Sequence, residues 1–313
     1  MYTNVSASVL LSLATLGIPD ANIYPAFLLV TLLYLLIMFF NLLVLAAIVV
    51  SKNLHKPMFI LLFNLPITDM MGATAFFPHL ISSIVTQNRL ISQPACITQA
   101  FLIHFYGTGN FLILSSMAYD RYVAICCPLR YNAVMTPQNL FKIIISIWLI
   151  TFSIIVTLIL LLARFKMCRT RVVDLFCNNP SLLKMVCEDI RVNNYYGLTI
   201  MCLIQGGTLA ITIYTYIQIL RTCIMTNHPD ARRKAIQTCG SHLVVFLLLQ
   251  FNSIIALIAH RIESASPYIR RVLGVSVLIF PPFLDPIIYG FKITELKQGI
   301  KRFLKRSVVS IKG

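Results

Sequence analysis

The sequence has little charge and few polar residues for its length. Only 12% of its 313 residues are charged and 58% are hydrophobic, and the mean hydropathy is +0.83. A soluble globule of this size needs more polar residues than this to cover its surface. The composition therefore excludes an ordinary soluble domain and predicts a surface that faces lipid.

Acidic residues are scarce, with 10 Asp and Glu against 26 Lys and Arg. The net charge of +16 could suggest a nucleic-acid partner. Much of the positive charge flanks apolar runs, however, which is typical of membrane proteins whose cationic loops face anionic lipid. The cysteines also lack metal-ligand spacing, and no pair of nucleophile and base stands out. We therefore expect neither a nucleic-acid partner nor an enzyme.

Long apolar runs are abundant. Seven of them reach about the 20 residues that a helix needs to span a bilayer. Because only helices and closed barrels satisfy their own backbone in lipid, and no alternating strand pattern is present, they predict an all-α membrane protein with a seven-helix bundle. The runs are Tyr24–Val50, Pro57–Val85, Cys96–Tyr119, Ile143–Ala163, Asn193–Leu220, Ala235–His260 and Val272–Gly290.

The distribution of Lys and Arg predicts an N-terminus on the outside. In that orientation 16 of these residues are cytoplasmic and 10 are outside, six of them in the long loop 164–191, where charge has less influence on topology. We expect an extracellular segment at 1–23, a transmembrane domain at 24–291 and a cytoplasmic amphipathic helix and tail at 292–313. Asn4 begins the one N-x-S/T triplet and is predicted to be glycosylated. The first span is expected to serve as an uncleaved insertion signal.

The segment after the seventh run has the pattern of a helix that lies in the membrane interface and contacts anionic lipid. Its apolar residues share one helical face and its cations lie largely around the other. The apolar face contains Ile293, Leu296, Ile300, Phe303 and Leu304, and the cations are Lys297, Lys301, Arg302 and Lys305.

The nine cysteines divide by their predicted depth. Cys96, Cys168, Cys177 and Cys187 are expected on the oxidising outer side, where four cysteines can pair in three ways. The other five lie in spans or on the reducing side and are expected to be free thiols. They are Cys126, Cys127, Cys202, Cys223 and Cys239.

An acid and a base end the third apolar run. Asp120 and Arg121 lie at a depth where charge costs less than at the bilayer centre and can reach water. Such a pair can act as a conformational switch, although an arginine at the end of a span can also be a simple positive-inside anchor.

Two further acids lie within spans. Asp69 and Asp285 are candidates for function, or for structural acids satisfied by hydrogen bonds. We expect them to share a polar pocket with Asn41 and Asn110. Because two close carboxylates rarely both ionise without a cation, the pocket is predicted to hold either a sodium ion, at Asp69, or one proton.

Four motifs resemble those of the rhodopsin-type G-protein-coupled receptors and, within them, of the vertebrate odorant receptors. They are MAYDRYVAIC at 117–126, LHKPMF at 54–59, KAIQTCGSH at 234–242 and PPFLDPIIYG at 281–290. LGIP at 16–19 and the pair His260-Arg261 resemble the fish-like class I division. Several positions depart from the family pattern, namely Phe40, where glycine is usual, Asn110, where glutamate is common, Thr215 in place of serine, and Asp285 in place of asparagine.

The resemblance implies a receptor that binds a small odorant in the outer half of the bundle. It also implies activation of a heterotrimeric G protein of the olfactory stimulatory type, with cyclic AMP as the output, at the plasma membrane of olfactory cilia. No cofactor is implied beyond the sodium ion. A chemosensory receptor outside the olfactory system is an alternative, and a small-solute transporter is a more distant one, because no internal repeat is present.

The same resemblance implies the roles of individual residues. The disulfides are expected to be Cys96–Cys177 and Cys168–Cys187. The residues expected to form the switch, as the sixth helix moves, are Asp120, Arg121, Tyr122, Tyr216, His242 and Tyr289. The residues expected to line the ligand pocket are His104, Thr108, Leu158, Gly197, Met201, Leu257 and Arg261.

Arg261 bears on the class of ligand. A guanidinium can hold a carboxylate with two parallel hydrogen bonds, so Arg261 suggests a small water-soluble acid, with His104 as a further donor. Arginines near helix ends also commonly reach out to lipid headgroups, which is the alternative role for this side chain.

Overall fold

The computed structural model describes residues 9–15, 17–225, 229–262 and 266–312. The predicted glycosylation site Asn4 and the first residue of the LGIP motif, Leu16, lie outside these residues. Eight long helices form most of the described chain. They are α1 (Ile23–Val50), α2 (Pro57–Thr86), α3 (Gln93–Cys126), α4 (Pro137–Ala163), α5 (Arg191–Met225), α6 (Pro229–Arg261), α7 (Pro267–Lys292) and α8 (Thr294–Lys312).

Each of the seven predicted spans falls on one of the helices α1 to α7. Within the described chain, six of these seven helices contain a stretch long and apolar enough to cross a membrane, α3 being the exception. α3 is more polar because it lies at the centre of the bundle, where α2, α4, α5 and α6 contact it and cover its buried Gln99, Asn110 and Ser115. The prediction of an all-α, seven-helix membrane protein is confirmed.

Several helices extend beyond the predicted spans. α3, for example, covers Gln93–Cys126, whereas its apolar run covers only Cys96–Tyr119. A hydropathy pattern marks where a helix leaves the hydrocarbon core, but backbone hydrogen bonding continues through the polar turns on either side. The start of α3 is set by its N-cap, since Ser92 Oγ accepts a hydrogen bond from the Ala95 N–H at 3.4 Å.

The N-terminal segment and the loop between α4 and α5 close one end of the bundle, which we call the disulfide end. Strand β1 (Leu10–Ser12) pairs antiparallel with strand β2 (Leu90–Ser92), just before α3. Disulfides join Cys96 to Cys177 and Cys168 to Cys187, which are the two pairs that the resemblance implied. The first ties the loop to α3, and the second closes the loop on itself.

The opposite end, which we call the Arg121 end, carries α8. Ile293 and Leu296 of the predicted apolar face are buried against the bundle, at 5% and 0% exposure. Leu304 is the most exposed member of that face, at 43%. The apolar face of α8 is therefore covered first by protein, and only its far end is left for lipid.

Phe40 stands where the family pattern has glycine, but it does not hold α1 away from the bundle. Ile37, Asn41 and Val44 of α1 are buried. The Phe40 ring packs edge-on against Phe283 of α7, with ring centroids 6.2 Å apart. An aromatic contact thus replaces the close backbone approach that glycine would permit.

Candidate ligand pocket and conformational switch

A cavity of about 210 Å³ lies at the disulfide end, enclosed by helices α3 to α7 and by the loop between α4 and α5. The structure brings together at this cavity all of the residues that the resemblance placed in a ligand pocket. They are His104, Thr108, Leu158, Gly197, Met201, Leu257 and Arg261.

The cavity wall is mainly apolar. Phe111, Ile155, Leu158, Met201 and Leu257 come from four different helices and surround the space. A cavity of this kind, with a few polar groups at one side, suits a small molecule that has an apolar body and one polar group.

His104 contacts the loop above the cavity. Its Nε2 accepts a hydrogen bond from the backbone N–H of Asn179, at 3.1 Å. Because an accepting ring nitrogen carries no proton, the neutral imidazole carries its proton on Nδ1. The predicted donor role of His104 therefore rests on Nδ1 alone, while Nε2 supports the short helix Asn179–Leu183.

Arg261 lies at the mouth of the cavity and is exposed. Its Nη1 donates a hydrogen bond to Asn194 Oδ1 at 2.8 Å, and this is its one hydrogen bond to the described residues. A guanidinium has further N–H donors, so the group can still bind a ligand.

Sequence reasoning missed an ion pair between the loop and α6. His260 lines the cavity, and its Nε2 lies 3.2 Å from Asp174 Oδ2 while its Nδ1 lies 2.8 Å from the Ala256 carbonyl oxygen. Both partners accept hydrogen bonds, so both ring nitrogens donate and the imidazole carries a positive charge. The two residues are 86 positions apart, and the one sequence signal at this site is the pair His260-Arg261 that resembles the class I division.

Asp174 is buried, at 4% exposure, and is ionised. Burial raises its pKa, but hydrogen bonds from His260, Ser181 and Asn178 outweigh that effect and bring the pKa down to about 2. The carboxylate thereby joins the loop to α6 above the cavity.

A second group that sequence reasoning missed links α5 to α6 beside the cavity. Gln205 Nε2 donates to Ser253 Oγ at 2.9 Å, and Gln250 Nε2 donates to the Gln205 carbonyl oxygen at 3.2 Å. Gln205 and Ser253 both line the cavity. A ligand in the cavity can therefore contact the hydrogen bonds that hold the two helices together.

The four residues predicted to form a polar pocket lie in the middle of the bundle and are all buried. Asn110 Nδ2 donates to Asp69 Oδ1 at 2.8 Å, and Asn41 Nδ2 donates to the Pro282 carbonyl oxygen at 2.8 Å. Asp69 of α2 and Asp285 of α7 are 0% and 3% exposed. No group of three His, Cys, Asp or Glu side chains that could hold a metal ion occurs in the part of the chain that the structure describes.

The six predicted switch residues fall into three groups at the Arg121 end. They are the pair Asp120 and Arg121, the set Tyr216, His242 and Tyr289, and Tyr122 apart from the others. Arg121 pairs with Asp120, which also accepts a hydrogen bond from the Tyr131 hydroxyl at 2.9 Å. Tyr216 bonds to His242 Nδ1 at 2.9 Å and donates to the Cys239 carbonyl oxygen at 2.7 Å.

Tyr289 and Tyr122 complete the set. The ring centroid of Tyr289 lies 6.4 Å from that of His242, which brings α7 to the contact between α5 and α6. Tyr122 instead packs near Tyr214, with centroids 6.0 Å apart. Tyr131, which holds Asp120, was not among the residues predicted from the sequence.

Comparison with known proteins defines first the class and then the family. Squid rhodopsin has the same fold, with a TM-score of 0.72 at 15% sequence identity over 95% of this chain and 91% of that one. The protein thus has the seven-helix fold of rhodopsin.

A family model described as olfactory receptor matches residues 30–307. Human olfactory receptor 52B2 is 33% identical over 91% of this chain and 89% of its own length. Mouse olfactory receptor 1M1 is 30% identical over 98% and 97%. The chain belongs to the olfactory receptor family. It is a multi-pass plasma-membrane receptor that signals through G proteins and is not an enzyme. Its assignment to the class I division stays a prediction.

We predict that Asp174→Asn lowers the melting temperature of the purified receptor near neutral pH. The change breaks a buried ion pair, which typically costs about 3 kcal/mol or more. Because the native pKa of Asp174 is depressed to about 2, its stabilising effect is fully present at neutral pH and is lost only as the pH falls from about 4 towards 2.

Asp189→Asn is the matched control, since it is the same substitution in the same loop. Hydrogen bonds from Arg191 also hold the pKa of Asp189 at about 2, but both side chains are exposed. We expect little change in melting temperature from this variant. Equal losses in the two variants would contradict a special role for the contact between Asp174 and His260.

Proposed function

We propose that this receptor binds a small odorant with a carboxylate group and couples it to a stimulatory G protein, with cyclic AMP as the output in olfactory cilia. The observation that supports the ligand class is the combination of an apolar cavity with Arg261 at its mouth. The apolar wall would take the tail of the acid, and the guanidinium would take its head.

The proposal places the disulfide end outside the cell. Disulfides persist in oxidising surroundings, and 16 of the 26 Lys and Arg residues then lie on the cytoplasmic side, as the positive-inside rule requires. Water-soluble odorants would reach the cavity from outside, and the Arg121 end would face the G protein.

His260 strengthens the case for an anion. It adds a second positive charge to the wall of the cavity next to Arg261, and Asp174 balances only one of these two charges. A ligand carboxylate would balance the other.

We predict that Arg261→Ala lowers the potency of a short-chain carboxylic acid in a cyclic AMP reporter assay. A hydrogen bond to a charged group contributes about 1.5–3 kcal/mol, which corresponds to about tenfold or more in potency. Arg261→Lys should recover part of the loss, because a lysine keeps the charge without the planar fork.

Arg270→Ala is the control, since Arg270 lies in the first turn of α7 and does not line the cavity. It should respond normally at equal surface expression. If methyl esters activate the receptor as well as the free acids do, or if Arg261→Ala responds normally, the ligand is not held by its carboxylate.

The coupling part of the proposal rests on the Arg121 end. Tyr216, His242 and Tyr289 join α5, α6 and α7 there, and Arg121 is paired with Asp120 at the same end of the bundle. Outward movement of α6 would separate Tyr216 from the Cys239 carbonyl and open a crevice for a helix of the G protein.

We predict that Arg121→Ala abolishes the cyclic AMP response while the receptor still binds its acid. Arg121 lies 17 residues beyond His104 on α3, about 25 Å away at 1.5 Å per residue, too far for one small ligand to reach both. Binding, measured as the ligand-induced rise in melting temperature, should change only by the coupling energy of about 1–3 kcal/mol.

Arg130→Ala, which removes an exposed arginine just after α3, should leave both readouts unchanged. A full cyclic AMP response from Arg121→Ala at normal surface expression would show that Arg121 is only a membrane anchor.

The polar pocket would hold a sodium ion or one shared proton. Three of its buried oxygens, Asn41 Oδ1, Asp69 Oδ2 and Asp285 Oδ2, have no hydrogen-bond donor among the described residues. Oxygen acceptors that receive no hydrogen bond suit a cation or a proton, because either one would compensate the negative charge of the buried carboxylates.

We predict that Asp285→Asn removes the dependence of receptor stability on sodium or on pH. The measurement compares melting temperatures in sodium chloride and in choline chloride at equal ionic strength, and then over a pH series in choline chloride. Asp20→Asn, a change at an exposed acid before α1, should keep the wild-type dependence. If Asp285→Asn keeps it too, the pocket binds neither species.

A further inference from the structure

A cavity of about 260 Å³ lies at the Arg121 end, where the short connection between α1 and α2 meets α8. It is distinct from the ligand pocket and from the switch. We call it the loop–α8 cavity. Its lining residues are Val50, Ser51, Lys52, Asn53, Arg302 and Phe303.

The surroundings of this cavity are strongly cationic. Segments 51–56 and 292–306 together contain eight Lys and Arg residues and a single acid, Glu295. Glu295 is already paired, because its Oε1 lies 2.9 Å from Lys56 Nζ. Within the described ranges, no acidic side chain pairs with Lys52 or Arg302. The cavity therefore presents two cations for which no described acidic side chain supplies a counter-charge.

Packing fixes the backbone segments that carry these two cations. Buried Leu296 holds the first turn of α8 against the bundle. One turn further, α8 approaches the loop so closely that a Cβ on Gly299 would lie 2.7 Å from Leu54 Cδ1. Lys52 of the loop and Arg302 of α8 are exposed to solvent, and both line this one cavity.

We propose that the loop–α8 cavity binds the phosphate-bearing headgroup of an anionic membrane phospholipid. Arg302 offers a planar fork that matches phosphate oxygens, and Lys52 offers a compact positive charge. Basic pockets at the cytoplasmic ends of membrane helices are suited to such headgroups.

The location favours a lipid over a soluble anion. Val50, the last residue of α1, forms part of the cavity, so the cavity begins where a membrane-spanning helix ends. This is the depth at which phosphates of the bilayer lie. Phe303 adds an apolar surface beside the two cations, where the first carbons of an acyl chain would lie.

The test uses the full-length receptor in nanodiscs of phosphatidylcholine that contain a small fraction of phosphatidylinositol bisphosphate. Native mass spectrometry counts the anionic lipids that stay bound. In the double variant Lys52→Gln/Arg302→Gln, we expect the apparent affinity for the anionic lipid to fall by about tenfold or more.

The matched control is Lys297→Gln/Lys301→Gln. It removes the same charge from the same region, and its residues are exposed like Lys52 and Arg302, but neither of them lines the cavity. Retention of the lipid by this control, together with its loss from Lys52→Gln/Arg302→Gln, would support a defined site. Equal loss from both variants would show only diffuse attraction to α8 and would overturn the proposal, as would no loss from Lys52→Gln/Arg302→Gln.

A third comparison separates a lipid from a free anion. Water-soluble inositol phosphate, added to receptor in pure phosphatidylcholine, should bind more weakly than the lipid, because the bilayer keeps the lipid headgroup at the cavity. Equal affinity would overturn the assignment to a lipid. None of these measurements requires an odorant or a G protein, so a failure here is distinguishable from a failure of the proposed function.

Discussion

A polar side chain inside a bilayer must find its partner within the protein, because no water is available there. This constraint explains why α3 occupies the centre of the bundle. Gln99, near its start, donates to the Ala75 carbonyl oxygen and accepts from the Cys177 N–H, both at 2.8 Å. Asn110, in its middle, donates to Asp69, and Asp120, near its end, holds Arg121 and Tyr131. At each level the partner is on a neighbouring helix, on the covering loop or at the end of α3 itself.

The same arrangement relates the cavity to the Arg121 end. α5 and α6 are joined by side-chain hydrogen bonds at two levels, one between Gln205 and Ser253 at the cavity and one between Tyr216 and His242 far below it. A ligand that changed the upper contact would change the packing of α6, and in the proposed function α6 would carry that change to the lower contact as a rigid element. The buried acids Asp69 and Asp285 lie between the two levels, where any rearrangement of α2, α3 and α7 alters their surroundings.

The number of membrane helices could be predicted from the sequence, because long apolar runs are properties of short segments. The role of the switch residues stays a prediction. The residues expected in a ligand pocket came from resemblance to the family, and Thr108 and Leu257, for example, do line one cavity. Contacts between distant segments could not be predicted. In the sequence, Asp174 is one of three acids in the loop 164–191, and only the fold brings it to His260. Likewise, nothing in the spacing showed that Tyr131 would hold Asp120.

His104 supports the roof of the cavity and also forms part of its wall, because its Nε2 holds the backbone of Asn179. Replacing it would lower the short helix above the cavity as well as remove a wall residue. A mutational screen that measures the response to one odorant therefore records the same loss of response for two kinds of residue, those that touch the odorant and those that keep the cavity open. Dose-response curves across acids of increasing chain length separate the two, because a lowered roof penalises the larger acids more, whereas a lost contact to the carboxylate penalises all of them alike.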